Sequence, residues 1–414
     1  MAPARATGGM LRSRPWMRSV AAVALALAPT CLVPAPARSG AFELSPRDPR
    51  LEGRPDLRER LLGSAHGYFR FFAAPFAQRV CEQLRDLGKD LSEVNLHGDA
   101  HVEQYAVTSL GRGLTDFDEA TRGPYALDLV RFGVSLQLAA AERGWGKEAG
   151  KSLDALFKGY REGLGKPGSP IRTPRVVTRI RETFHYDHAE LLRRADAILD
   201  ETPVPPESLD PHYQAYVEQR LHEWSGMPAS FFRLKRAGRL RLGIGSALDE
   251  KYLVRVEGWT DAPDDDVVLE AKEVRDLAGV SCTRRDMGPD RILTANELIA
   301  YEPFPFSGLM EKEGKVLWVH AWPDDYEELG IPTSFREAEE LREVAFDVGV
   351  QLGRAHPKPE SGPTRDEDRR AVRAAARRHE RRLRYAIREL TGETEEAWRA
   401  FRAAAVEAGV PEAR

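Results

Sequence analysis

Near Gly238 the hydrophobic period of this 414-residue chain changes from helical to alternating, and it changes back after Ala321. That switch constrains the fold strongly, because one element cannot follow both a 3.6-residue stripe and a two-residue alternation. Leu240, Leu242 and Ile244 alternate with Arg239, Arg241 and Gly243. After Gly245-Ser246, the residues Tyr252, Val254 and Val256 alternate again. The pattern predicts a strand, a glycine turn and a second strand. An acidic turn at 261–266 leads into a third strand from Val267 to Lys272, and a fourth is expected over Lys315–Ala321. A mostly β unit of 235–322 thus sits between helical regions of 42–234 and 323–414. The expected class is α+β, with a small sheet lobe inserted into a helical lobe.

The flanking regions read as helices. Residues 51–87 are helical with aromatic insertions at Tyr68, Phe69, Phe71, Phe72 and Phe76. Leu127, Val130, Val134 and Leu138 recur at three- and four-residue steps, which predicts an amphipathic helix over 126–140. Breaks rich in Gly and Pro at 165–174 and 202–211 bracket a charged helical stretch. Ser334 with Glu337 reads as a capping box opening a helix from Phe335 to His356, stopped by Pro357. From Arg365 onward a long helix is dense in arginine, and Arg369, Arg373, Arg377 and Arg381 share one face. The interspersed acids suggest a solvated, ion-paired surface.

Composition narrows the partners. Apolar residues make up 42% and charged residues 30%, as in ordinary globular proteins. Residues 1–41 hold five arginines and no acid around an apolar run from Val20 to Val33, too short to span a bilayer comfortably. They read as a signal peptide, cut near Ala35-Pro36-Ala37 or Ser39-Gly40-Ala41, which implies export to the periplasm or beyond. Left uncut, they would serve as an anchor; left unused, the chain would be cytoplasmic. Their removal shifts the formal charge from −4 to about −9, which argues against nucleic acid as a partner. The remaining cysteines, Cys81 and Cys282, are compatible with a bridge or with two separately buried thiols.

The chemistry concentrates between Leu96 and Ala120. His97-Gly98-Asp99-Ala100-His101 follows a short apolar approach, and Asp116-Phe117-Asp118 comes soon after. Asp99 can orient a hydroxyl or accept its proton. Asp116 lies seventeen residues later, room for a hairpin that returns it beside Asp99, and it suits a hard dication. The bland alternative is a turn aspartate with Asp118 as a helix cap. Downstream, Gly243, Gly245 and Ser246 could let backbone N–H groups approach phosphate oxygens, and Lys272 shares a strand face with Val268 and Glu270.

These residues carry a resemblance. His97-Gly98-Asp99-Ala100-His101-Val102-Glu103, Asp116-Phe117-Asp118-Glu119-Ala120, Gly123-Pro124 and Asp128-Leu129 resemble the bacterial domain of unknown function family 2252. Tyr68-Phe69-Arg70, Gly243-Ile244-Gly245-Ser246, Lys272-Glu273 and Leu352-Gly353-Arg354-Ala355-His356 extend the likeness over most of 55–390. The same loops resemble aminoglycoside-phosphotransferase-like kinases. That resemblance implies Asp99 as catalytic base, Asp116 and Gln104 as Mg2+ ligands, and Asp128 as a brace for the loop. It also implies Lys272 on the phosphates of ATP under the Gly243–Ser246 turn. Gln104 stands where those kinases carry asparagine, and Leu127 stands where they carry tryptophan. The glycine turn and lysine follow the catalytic loop here instead of preceding it, so the resemblance implies a circularly permuted protein-kinase-like fold.

The implied function is transfer of the ATP γ-phosphoryl group to a hydroxyl-bearing substrate. One alternative is an exported pseudokinase that binds without turnover. Another is a metal-dependent hydrolase using His97, Asp99, His101 and Asp116. The pattern leaves the partner glutamate of Lys272 open, with Glu297 as a guess.

Overall fold

Eight of the strand residues that alternate in the sequence pack one face of an antiparallel sheet, and the rest of the β unit is built around them. The computed structural model describes residues 40–220, 226–228, 230–241, 243–244, 247–275, 279–359 and 362–409. The expected signal peptide lies outside these, apart from Gly40 and Ala41. The class is mixed α+β, and the described residues cluster as one compact unit.

Helices α1 (Pro55–Gly63), α2 (Ala65–Arg70) and α3 (Ala73–Gln83) bury the aromatic run. Strand β1 (Glu93–Leu96) pairs with β4 (Thr121–Pro124), and between them β2 (Tyr105–Thr108) and β3 (Arg112–Leu114) form a hairpin. Helices α4 (Ala126–Glu142), α5 (Ala149–Gly165), α6 (Arg175–Arg181) and α7 (His188–Glu201) follow. The larger sheet draws on β5 (Pro203–Val204), β6 (Leu234–Arg239), β7 (Lys251–Val256), β8 (Val267–Glu273), β9 (Gly308–Lys312) and β10 (Lys315–Ala321). Its spatial order is β5-β6-β7-β8-β10-β9. Helix α8 (Asp210–Arg220) precedes β6, and α9 (Arg291–Ile299) lies between β8 and β9. Strand β11 (Tyr326–Glu328) then pairs with β2. Helices α10 (Ile331–Ser334), α11 (Ala338–Ala355) and α12 (Asp366–Glu407) complete the chain.

One sheet face carries Tyr252, Val254, Val256, Leu269, Ala271, Leu317, Val319 and Ala321, packed on Tyr213, Tyr216 and Val217 of α8. On the other face Leu253 and Val268 meet Leu191, Leu192, Ala195 and Leu199 of α7, while Trp318 packs beside Ile292 and Ala295 of α9. The sheet is therefore covered on both sides, and polar residues on the second face are buried with it. The first strand runs over Leu234–Arg239, not over the expected 240–244. Leu240 continues the pairing by one bond to the Lys251 carbonyl, at 3.0 Å. Gly243 at φ 89° then takes the backbone out of the extended region.

Two further expectations change. The capping box does not form. Ser334 ends the separate helix α10, and its hydroxyl accepts from the Gly330 N–H at 2.9 Å, so α11 starts at Ala338. Helix α4 is not simply amphipathic, because it is buried on nearly all sides, with Asp128, Arg131 and Ser135 among its buried residues. Cys81 of α3 and Cys282 form a disulfide across 201 residues, with Cα atoms 5.6 Å apart. Ion pairs of α12 run through Arg365, Arg382, Arg384 and Arg399. No helix among the described residues is long and apolar enough to cross a membrane.

The α5–α11 contact is made by glycines. A Cβ on Gly159, Gly163, Gly349 or Gly353 would run into backbone carbonyls of the facing helix, so the two axes approach closely. We expect Gly353→Ala to lower stability by about 1–3 kcal/mol despite the better helix propensity of alanine. Gly392→Ala, where a Cβ meets nothing within 4 Å, should raise stability by about 0.5–1 kcal/mol. Urea unfolding midpoints of the two variants check both signs.

Candidate functional site

The loop after β1 has little secondary structure of its own and is held by side chains from α4. The Asp128 carboxylate accepts from the backbone N–H of His97 at 2.8 Å and of Gly98 at 2.9 Å. Arg131 Nε donates to Asp99 Oδ1 at 2.7 Å, and Ser135 Oγ accepts from Val102 N–H at 2.8 Å. Residues 128, 131 and 135 fall on one helical face at steps of three and four. Gly98 is required here, because at φ 89° it passes so close to the Glu119 carbonyl that a Cβ would overlap it.

The C-terminal end of α11 braces the same loop from the far end of the chain. His356 Nε2 meets Asp128 Oδ2 at 3.1 Å, and the His356 carbonyl accepts from Asn95 N–H of β1 at 3.2 Å. The Asn95 amide donates to the carbonyls of Ala355 and Lys358, at 3.3 and 2.6 Å. Burial favours the neutral form of Asp128, but its bonds to His356 and the loop amides outweigh this and lower its pKa.

The β2–β3 hairpin returns the chain as expected. Thr115 N–H donates to the Gln104 carbonyl at 3.0 Å, and the Gln104 amide donates to Asp116 Oδ2 at 3.3 Å. Asp116 sits at φ 63°, a left-handed backbone rare for a residue with a side chain. Lys272 reaches it from the middle of the sheet: Nζ lies 2.5 Å from Asp116 Oδ1 and 3.0 Å from Asp118 Oδ2. Burial opposes the charge on Lys272 and Asp116 alike, yet each is outweighed by the other, and both stay charged. Asp118 moves the opposite way. Burial, Asp116 and Glu119 push its carboxyl well above the usual range.

Asp99, Gln104, Asp116, Gly243 and Lys272 line one cavity of about 420 Å³, so the structure brings these expected site residues together. Gly245 and Ser246 lie outside the described residues. Glu297 is exposed on α9, and the partners of Lys272 are Asp116 and Asp118, which corrects that guess. Asp118 is therefore a buried partner of Lys272 and not a helix cap. The four-residue metal set is not assembled. His97 Nε2 is engaged by the Thr115 carbonyl at 2.7 Å, and His97 Nδ1 accepts from Asp99 N–H at 3.3 Å. Among the described residues no group of three or more His, Cys, Asp or Glu is disposed to hold a metal ion. Sequence reasoning missed Arg131 and Ser135, although their spacing from Asp128 carried the signal. It also missed Arg275, which joins Asp118, Glu119 and Asp249.

Residues 54–169 match the model of the family described as "Uncharacterized protein conserved in bacteria (DUF2252)". The match supports that family. It spans the loop at 97–118 and the bracing helix α4, while Lys272 lies beyond it. No curated protein and no solved structure matches the chain.

Because the pKa of Asp128 is lowered, its bonds stabilise the fold above the unfolded value of about 4 and are lost as pH falls through the folded value. Asp128→Asn should therefore cost about 2 kcal/mol or more at neutral pH. The gap to wild type should begin to narrow as pH falls below about 4, as read from melting temperature against pH.

Proposed function

We propose that the chain is a kinase-like phosphotransferase that moves the ATP γ-phosphoryl group to a hydroxyl of an unidentified acceptor. The observation that carries this reading is the approach of Lys272, from a central strand, to Asp116 and Asp118 in the cavity that Asp99 also lines. An ammonium group and a nearby carboxylate cluster are what a phosphate chain and its cation require. The reading includes a circular permutation. It draws support from the hydrogen bonds that join the end of α11 to Asn95 of β1, the strand that enters the loop, although α11 follows the loop in the chain.

Mg2+ fits the oxygens present. Asp118 Oδ1 is buried with no hydrogen-bond partner, Asp116 lies beside it, and the Gln104 amide donates to Asp116, leaving its carbonyl oxygen as a further donor. Such a cation would be held by Asp116, Asp118 and Gln104 and would neutralise phosphate charge. Asp99 would align the acceptor hydroxyl, its carboxylate steadied by Arg131. Lys272 would exchange its bond to Asp116 for phosphate oxygens. Residues 1–41 are proposed as an export signal, and the Cys81–Cys282 disulfide supports an oxidising compartment.

A second reading, binding without turnover, draws support from the ion pair between Asp99 and Arg131, both almost fully buried. That pair competes with any substrate hydroxyl for the carboxylate.

Thermal shift with ATP and Mg2+, Mn2+ or Zn2+ tests the cleft. At a ligand concentration 100 times Kd, wild type should gain about 2.7 kcal/mol. Asp116→Ala and Lys272→Ala should abolish the gain. Stabilisation by Zn2+ with no response to ATP would refute the nucleotide reading. Turnover separates the two versions: Asp99→Asn should lower kcat by about 10²–10⁴ if Asp99 takes the proton. No turnover in wild type, with ATP bound, favours the binding module.

A further inference from the structure

Lys251 opens β7 and stands directly opposite Lys272 in the β7–β8 register. Opposed residues in an antiparallel pair project from the same face, about 5 Å apart at Cβ. The next pair along this face, Leu253 and Glu270, and then His320 on β10, show which face it is: Glu270 and His320 line the same cavity. Both lysines line it too, and both are buried, Lys251 at 5% and Lys272 at 3% exposure.

Like charges directly opposite each other are unfavourable, and burial adds to the cost. Lys272 is matched by Asp116 and Asp118, which belong to the catalytic loop. Asp116 and Asp118, together with Glu270, also attract the Lys251 ammonium. Burial and the neighbouring Lys272 outweigh that attraction and lower its pKa, so a further anion placed between the two lysines would relieve both. Lys251 also borders a second cavity, of about 250 Å³, whose wall mixes Arg54, Arg60, Arg239 and Arg241 with Glu52, Asp56 and Asp249.

We infer that Lys251 is a second phosphate-binding lysine, and that with Lys272 it forms a paired ammonium site for a polyphosphate chain. Two adjacent cations suit consecutive phosphates, so the pair selects a nucleoside di- or triphosphate, or inorganic polyphosphate, over a single phosphoryl group. The nucleotide part of this inference rests on the function proposed above; the lysine pair does not.

The test uses the full-length mature protein and four probes with Mg2+: ATP, ADP, AMP and inorganic tripolyphosphate. Lys251→Met should weaken ATP, ADP and tripolyphosphate binding by about ten-fold or more, while AMP binding stays unchanged. Lys251→Arg, which keeps the charge, should restore most of the loss. Equal ATP affinity in wild type and Lys251→Met would overturn the inference and leave the nucleotide cleft standing. Tripolyphosphate binding that depends on Lys251, without any nucleotide binding, would uphold the lysine pair and refute the nucleotide reading. Binding of none of the probes would refute both. Should Lys251→Met fail to fold, an acyl-phosphate derivative of ATP decides on wild type. The lysine amine attacks the acyl carbonyl, an amide forms and ATP leaves, so peptide mapping should find the label on Lys251 as well as Lys272. Label on Lys272 alone, or on neither, would overturn the inference.

Discussion

Three side chains of one buried helix hold the candidate site in place. Asp128, Arg131 and Ser135 project from α4 at successive turns and meet, in order, the backbone of His97 and Gly98, the carboxylate of Asp99 and the backbone of Val102. A loop left to itself would spend its N–H groups on water and sample many shapes. Here the N–H groups of His97, Gly98 and Val102 are assigned to partners on a rigid helix, which also holds the Asp99 carboxylate, so the position of Asp99 follows from the helix geometry. The glycine contact between α5 and α11 serves the same end, because it sets where α11 finishes and thus where His356 meets Asp128.

The second half of the cleft has a different origin. Lys272 belongs to a sheet covered by α8 on one face and by α7 and α9 on the other, so its position is fixed by strand register rather than by loop contacts. Where the two halves meet, the charges are strongly interdependent. Lys272 keeps Asp116 ionised, and Asp116 in turn raises the proton affinity of Asp118. Removing any one of the three would change the protonation of the others.

Much of this was legible in the sequence, for identifiable reasons. The strands over 251–256, 267–273 and 315–321 follow from alternation on the α8 face, and the hairpin between Asp99 and Asp116 follows from spacing and composition. Alternation could not reveal that the opposite face is also buried, because coverage by α7 is a tertiary fact. For that reason nothing in the alternation singled out Lys251. The start of the first strand was misplaced because Arg239-Leu240-Arg241 continues the alternation past the point where pairing ends. The capping box failed since two short-range signals, for α10 and α11, overlap at Ser334. The partners of Lys272 and Cys81 lie 154–201 residues away along the chain, a separation over which local pattern carries no information.

The disulfide adds a consequence for the integrity of the molecule. Cys81 and Cys282 enclose a segment that contains the loop at 97–118, all of β7 and β8, and hence Asp99, Asp116 and Lys272. A single cleavage anywhere within that covalent ring would leave both fragments joined. Surface turns in this region, such as the acidic 261–266, can therefore be nicked without separating the two halves of the cleft. The bridge thus acts less as a brace for any one contact than as insurance against losing half the site.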